Sequence, residues 1–166
     1  MQFAKDTFYV ALRDRLAALN PARIVFLDGV NRPAVIVAEN EPATSTGALL
    51  DAFYVVWGAV RAVESAARSL RPLLALDCAI VYRTRGTDDM SGVDRGRMLA
   101  TLDIELLQIF SPHGAPKLDY TQTAPIDLGT SVFWLPPQLA EPVNVGGELR
   151  RTARTTVYFF PEADLA

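Results

Sequence analysis

The chain reads as an α+β domain in which a mainly antiparallel sheet is covered on one face by two principal helices. Two stretches, one near the N-terminus and one ending at residue 109, repeat apolar residues at three- and four-residue spacing. Around them lie short β-branched and aromatic runs punctuated by glycine and proline. The resulting order, α, β, β, β, β, α, β, β, fits helices laid over one side of an antiparallel sheet.

Thr7 to Leu19 is the first helix, with Phe8, Leu12, Leu16 and Leu19 on one side and Arg13, Asp14 and Arg15 interrupting the other. Asn20 and Pro21 end it. Ile24–Leu27 and Ala34–Ala38 are expected to form a hairpin, joined through Asp28-Gly29-Val30-Asn31-Arg32-Pro33, where Asp-Gly favours a turn. Glu39 to Thr46 is a polar loop broken by Pro42. Phe53 to about Val60 favours strand, because Tyr54, Val55, Val56 and Trp57 suit a pleated surface, and a short helix or turn follows. Ala79 to Thr84 is the next strand, and Gly86 ends it.

The second helix has a clear start and stop. Ser91 is placed as an N-cap, with the Asp94 carboxylate reaching back in a capping-box arrangement, and Pro112 stops the helix. Leu99, Leu102, Leu106 and Ile109 form its core stripe, with Thr101, Asp103, Glu105 and Gln108 mainly away from it. Pro112 to Gly129 reads as a long proline-bearing loop, and loops of that length are usually functional or partner-ordered. Ser131–Leu135 and Thr152–Phe160 are the last strands, separated by a second loop from Pro136 to Gly147. Tyr120, Phe133, Trp134 and Tyr158 read as core residues or, failing that, as interface anchors.

Composition narrows the function. A length of 166 residues, half of them hydrophobic, suits one domain spanning residues 1–166 with a sizeable core. A net charge of -3 argues against nonspecific nucleic-acid binding as the main task. The charged N-terminal stretch and the short apolar run from Ala52 to Val60 predict a cytoplasmic product with no membrane span. Cys78, the one cysteine, reads as a buried thiol within a strand.

Chemistry-bearing motifs are sparse. His113, the one histidine, lies in a loop without a serine or cysteine nucleophile motif, and no phosphate-binding glycine loop follows a strand. Asp88, Asp89 and Asp94 raise the question of calcium, but Met90 falls where an EF-hand needs its second ligand. The residues therefore predict no catalytic group, no cofactor and no metal. What the segment from Leu76 to Phe110 does offer is charge for pairing. Arg83, Arg85, Arg95 and Arg97 flank Asp88 and Asp89, and a planar guanidinium suits bidentate carboxylate contacts within or between subunits. These six residues are the candidate interface. A second cluster, Arg150, Arg151 and Arg154, protects an edge strand by charge or meets a partner or nucleic acid in a lumen, with Arg151 on the opposite face.

The order of KDTFYVALRDRLAAL, RIVFLDGVNRPAVIVA, YRTRGTDDMSGVDRGRMLATLDIELLQIF and RTTVYFFPE resembles that of the tail-terminator, or tail-completion, proteins of long-tailed bacteriophages and phage-like particles. The chain carries a longer proline-bearing insertion between Pro112 and Gly129 than small members of that family. The resemblance implies a homo-oligomeric, six-membered ring that caps a tail tube, stops its polymerisation and docks a neck or head-completion protein. It also implies a non-enzymatic virion protein assembled in the host cytoplasm, with DNA passing through the lumen. Another head-tail joining or tube-associated adaptor, or a small-molecule site beside Trp57 and Tyr82, are the alternatives.

Overall fold

A computed structural model describes residues 1–39, 49–63, 72–87 and 92–162. Along them run α1 (Gln2–Leu19), β1 (Ile24–Leu27), β2 (Val30–Pro33), β3 (Val35–Val37), β4 (Phe53–Ala62) and β5 (Leu74–Thr84). Then follow α2 (Gly92–Ile109), β6 (Gly114–Asp119), β7 (Ile126–Trp134), β8 (Gln138–Leu139), β9 (Val143–Val145) and β10 (Glu148–Phe159). The α+β expectation is met, with both helices on one face of a mostly antiparallel, curled sheet.

The sheet is ordered β3-β4-β5-β10-β7-β6, and its backbone is the antiparallel pair β5–β10, in continuous register from Leu149 opposite Thr84 to Phe159 opposite Leu74. The far edge of β10 is filled in turn by β9, β8 and β7. Because side chains alternate across a strand, this register sorts residues between two faces. Leu76, Ile80, Tyr82, Ala153, Val157 and Phe159 go under the helices, and all are buried. Val81, Arg83, Arg150, Arg154 and Tyr158 go to the uncovered face. The curl has a local cause at Gly58, in a register shift after Trp57, where a Cβ would lie 3.1 Å from the Asp77 carbonyl oxygen.

α1 buries Phe8, Leu12 and Leu16 of its expected stripe, while Leu19 is exposed. Phe8 of α1 meets Trp57, Phe110 and Trp134 edge-to-face at 5.6, 5.7 and 5.0 Å, so one ring joins the helix to the sheet and to the end of α2. Leu99, Leu102, Leu106 and Ile109 of α2 are buried as expected. Arg15 adds a polar clamp, donating to the carbonyl oxygens of Ile109, Pro112 and Gly114 at 3.0, 2.7 and 3.0 Å. It thereby satisfies carbonyls that the end of a helix leaves open.

Four expectations need correction. The partner of β1 is Val30–Pro33 rather than residues 34–38; the latter stretch crosses into the main sheet as β3 and pairs parallel with β4. The Asp28-Gly29 turn is only two residues long, with both φ angles positive at 51° and 80°, so the hairpin closes sooner than a loop running to Pro33 would allow. The stretch from Pro112 to Gly129 is not a loop, since β6 and β7 pair across it. Pro116 is tolerated because β6 is an edge strand whose missing donor costs no ladder bond. The Pro136–Gly147 loop likewise contains β8 and β9, short rungs on β10. Finally, Glu105 is buried: it accepts from Asn20 Nδ2 at 2.6 Å and from Arg23 Nε and Nη2 at 2.9 and 3.1 Å. Residues 64–71, where a short helix or turn was expected, and most of the Glu39–Thr46 loop lie outside the described residues.

Two outcomes test this packing. Glu105→Ala leaves Arg23 and Asn20 facing an empty site, so urea unfolding should show a loss of about 3 kcal/mol, and a loss under ~1 kcal/mol would contradict it. Glu162 reports on acid stability. Burial opposes its ionisation, but hydrogen bonds from Lys117 and the Met1 amine outweigh that and hold its carboxyl at about 2. A depressed folded pKa stabilises above the ordinary carboxylate range and is lost below it. Stability should therefore fall from about pH 4.3 toward 2, and Glu162→Gln should flatten that limb of the melting curve.

Candidate interaction surface

Glu148 organises the uncovered face. It begins β10 immediately after the Gly146-Gly147 turn, and the β5–β10 register brings it beside the end of β5. Its Oε2 accepts from Arg83 Nη1 at 2.7 Å, and its Oε1 accepts from Arg85 Nε and Nη2 at 2.9 and 2.8 Å. Charge-assisted pairs of this kind are short and directional, so two arginines are fixed by one carboxylate. Arg83 and Arg85 thus find an acid within the chain, one that the sequence pattern left unnoticed. Its discovery required the long-range register, because Glu148 is more than sixty residues from either arginine.

Arg150 lies directly opposite Arg83, and Arg154 opposite Ala79. Both are exposed on the uncovered face, and neither makes an ion pair among the described residues. Arg151 turns the other way, as strand alternation predicts. There it lies 3.4 Å from Asp103, whose Oδ1 also accepts the Tyr82 hydroxyl at 2.5 Å. Burial, then the hydrogen bond to Asp103, raise the Tyr82 pKa, so this phenol stays protonated as a structural donor. Arg151 is therefore a link between sheet and α2, set apart from Arg150 and Arg154.

The strand-to-helix loop is held at its described end by Asp94. Its carboxylate accepts from the Thr87 N–H and hydroxyl, tying the first turn of α2 back to the loop. Gly86 makes that closeness possible, since its φ is +86° and a Cβ would fall 2.1 Å from Asp94 Oδ2. Arg95 is half-buried on α2 and Arg97 is exposed. Asp88, Asp89 and the Ser91 cap lie outside the described residues.

Between β4, β5 and the β7–β8 connection the uncovered face sinks into a cleft of about 460 Å³, floored by Val56 and Ala79 and rimmed by Leu135, Gln138 and Arg154. A neighbouring cleft of about 280 Å³ shares Val56 and includes Val81, Arg83 and Arg150. Further along, Phe133 and Tyr158 stack at 5.3 Å, the first of them 40% exposed. Trp134, by contrast, is core, its Nε1 donating to the Phe110 carbonyl oxygen at 2.9 Å. Trp57 packs on Phe8 beneath the helices. Cys78 is buried there too, and burial pushes its thiol up, away from the reactive thiolate. His113 is exposed, as expected of a loop residue.

Two apolar surfaces lie elsewhere. The β1–β2 hairpin, a two-stranded sheet separate from the main one, exposes Ile24, Phe26 and Val30. On α2, Val93, Ile104 and Leu107 are exposed along a line that also passes Arg97 and Ala100, at alternating four- and three-residue steps. Among the described residues no cluster of histidine, cysteine or acidic side chains is arranged to hold a metal, and no helix is long and apolar enough to cross a membrane. A scan against protein-family models and a search of curated proteins each found no match.

Removing the Glu148 carboxylate should gather Arg83, Arg85 and Arg150 as uncompensated like charges. Glu148→Ala is expected to cost about 2 kcal/mol at low salt, with the loss shrinking as salt screens the cluster. Arg97→Ala, at an exposed helical position, should stay within ~0.5 kcal/mol. Equal effects for the two variants in denaturant melts would remove Glu148 from its organising role.

Proposed function

We propose that this chain is a structural, ring-forming protein of a phage tail or phage-like particle, one that ends a tube and offers a docking surface, and not an enzyme. The supporting observation is the presence of exposed apolar patches on separate elements of one subunit. Ile24 and Phe26 project from a hairpin, Ile104 and Leu107 from α2, and a cleft opens on the uncovered sheet. Large exposed apolar patches mark interaction surfaces. Two unlike patches on one subunit suit a heterologous contact, which repeats from copy to copy until it closes as a ring.

The resemblance in element order supplies the rest of the reading. A ring of identical subunits would present the α2 stripe and Arg97 together on each copy, a repeating surface for a tube or neck partner. Arg150 and Arg154 would meet either a neighbour or a passing strand of nucleic acid. The cleft beside Val56 keeps a second reading in view, that of a small-molecule site.

Light scattering and negative-stain microscopy of the purified protein, alone and with its tube protein, separate these readings. The proposal predicts closed rings and tubes that stop growing when the protein is added. A monomer that stays monomeric with tube present would overturn it, and a ligand-dependent rise in melting temperature of that monomer would favour the small-molecule reading.

A further inference from the structure

The hairpin and the cleft have complementary chemistry. In the β1–β2 pair Ile24 and Phe26 share one face, and Phe26 is 67% exposed, while Val25 on the other face is buried against the core. A lone two-stranded ribbon is marginal in water, and here its outward face is apolar without a covering element among the described residues. Its tip carries an exposed acid, Asp28, fixed beside Gly29 in a turn with positive φ at both positions. The cleft offers the counterpart, with an apolar floor at Val56 and Ala79 and an exposed cation, Arg154, at its rim, while the Asp77 carboxylate that also lines it is held by Arg61 at 2.6 Å. Hairpin and cleft lie on different surfaces of the subunit, one beside α1 and the other on the uncovered sheet face.

We propose that the hairpin tip of one copy seats in the sheet cleft of the next, with Phe26 against Val56 and Ala79 and Asp28 paired with Arg154. This deepens the ring reading and rests on it for the biological setting only. The occupant is a second copy because the chain itself carries both halves, apolar to apolar and acid to base. The aromatic supplies the buried anchor, and the rim pair fixes its orientation. Since each subunit donates one hairpin and receives another, the contact is head-to-tail, and it propagates or closes without a two-fold axis.

The test uses two full-length variants, Phe26→Asp, which spoils the hairpin, and Arg154→Glu, which spoils the rim. Both sites are exposed, and circular dichroism with thermal melting checks that each variant folds. By sedimentation velocity the wild type should assemble, and each variant alone should need roughly tenfold more protein to associate. Mixed together, they should form one-to-one dimers, because the intact hairpin of Arg154→Glu fits the intact cleft of Phe26→Asp. A charge-swapped chain, Asp28→Arg with Arg154→Glu, should regain assembly. A monomeric wild type at high micromolar concentration, undisturbed assembly of Phe26→Asp, or failure of the mixture to pair would each overturn the inference. Loss of oligonucleotide binding in Arg154→Glu with assembly intact would overturn it too, in favour of a nucleic-acid surface. Rings that cap tubes without needing the hairpin would sink this contact and leave the proposed function standing; hairpin-dependent assembly with no effect on tubes would do the reverse.

Discussion

The register between β5 and β10 is the constraint on which the remaining structure depends. Eleven consecutive residue pairs hold the two longest strands together, and their alternation decides which side chains the helices cover. Tyr82 and Arg151 are opposite one another and go under α2, where both meet Asp103. Arg83 and Arg150 are the next pair and go to the uncovered face, where Glu148 answers Arg83. A one-residue slip of β10 would turn Arg150 and Arg154 under the helices and carry Arg151 away from Asp103. The polar groups thus specify the same register that the apolar residues Ile80, Ala153 and Val157 require.

That division of faces gives the molecule two characters. The covered side is held by an aromatic centre at Phe8 and by three long-range polar ties, from Arg15 to the end of α2, from Arg23 to Glu105, and from Lys117 to Glu162. Each tie satisfies groups that would be costly to bury alone. The uncovered side is a shallow, curled surface with an apolar floor, a fixed arginine pair and further arginines at its margin. An acidic chain thereby gathers exposed arginines on one sheet face, beside the Arg61–Asp77 pair.

Much of this arrangement was legible in the sequence where the relevant physics is local. The stripes of α1 and α2, the core strand around Ile80 and the opposite facing of Arg151 all follow from periods of 3.6 and 2. Leu19, the last residue of α1, departs from its stripe and is exposed. The misreadings are of long-range origin. Pro116 and Gly114 look like loop residues until the edge position of β6 is known. Glu105 looks solvent-facing until Asn20 and Arg23, more than eighty residues away, are brought beside it. Glu148 had no visible role because its arginine partners lie across a strand pairing. Asp88 and Asp89, which the sequence brought forward as an interface, lie outside the described residues, while Glu148 holds Arg83 and Arg85 from within the chain.

In the proposed assembly one sheet presents a ready-made surface to a neighbouring copy, which covers the hairpin and leaves the sheet unchanged. Hydrogen–deuterium exchange followed as a function of protein concentration tests this most directly. The β5 and β10 amides should exchange slowly at every concentration, while protection of Phe26, Leu27 and Asn31 should rise as the protein associates. Protection that rises in β5 and β10 instead, or a hairpin whose exchange never changes with concentration, would contradict it.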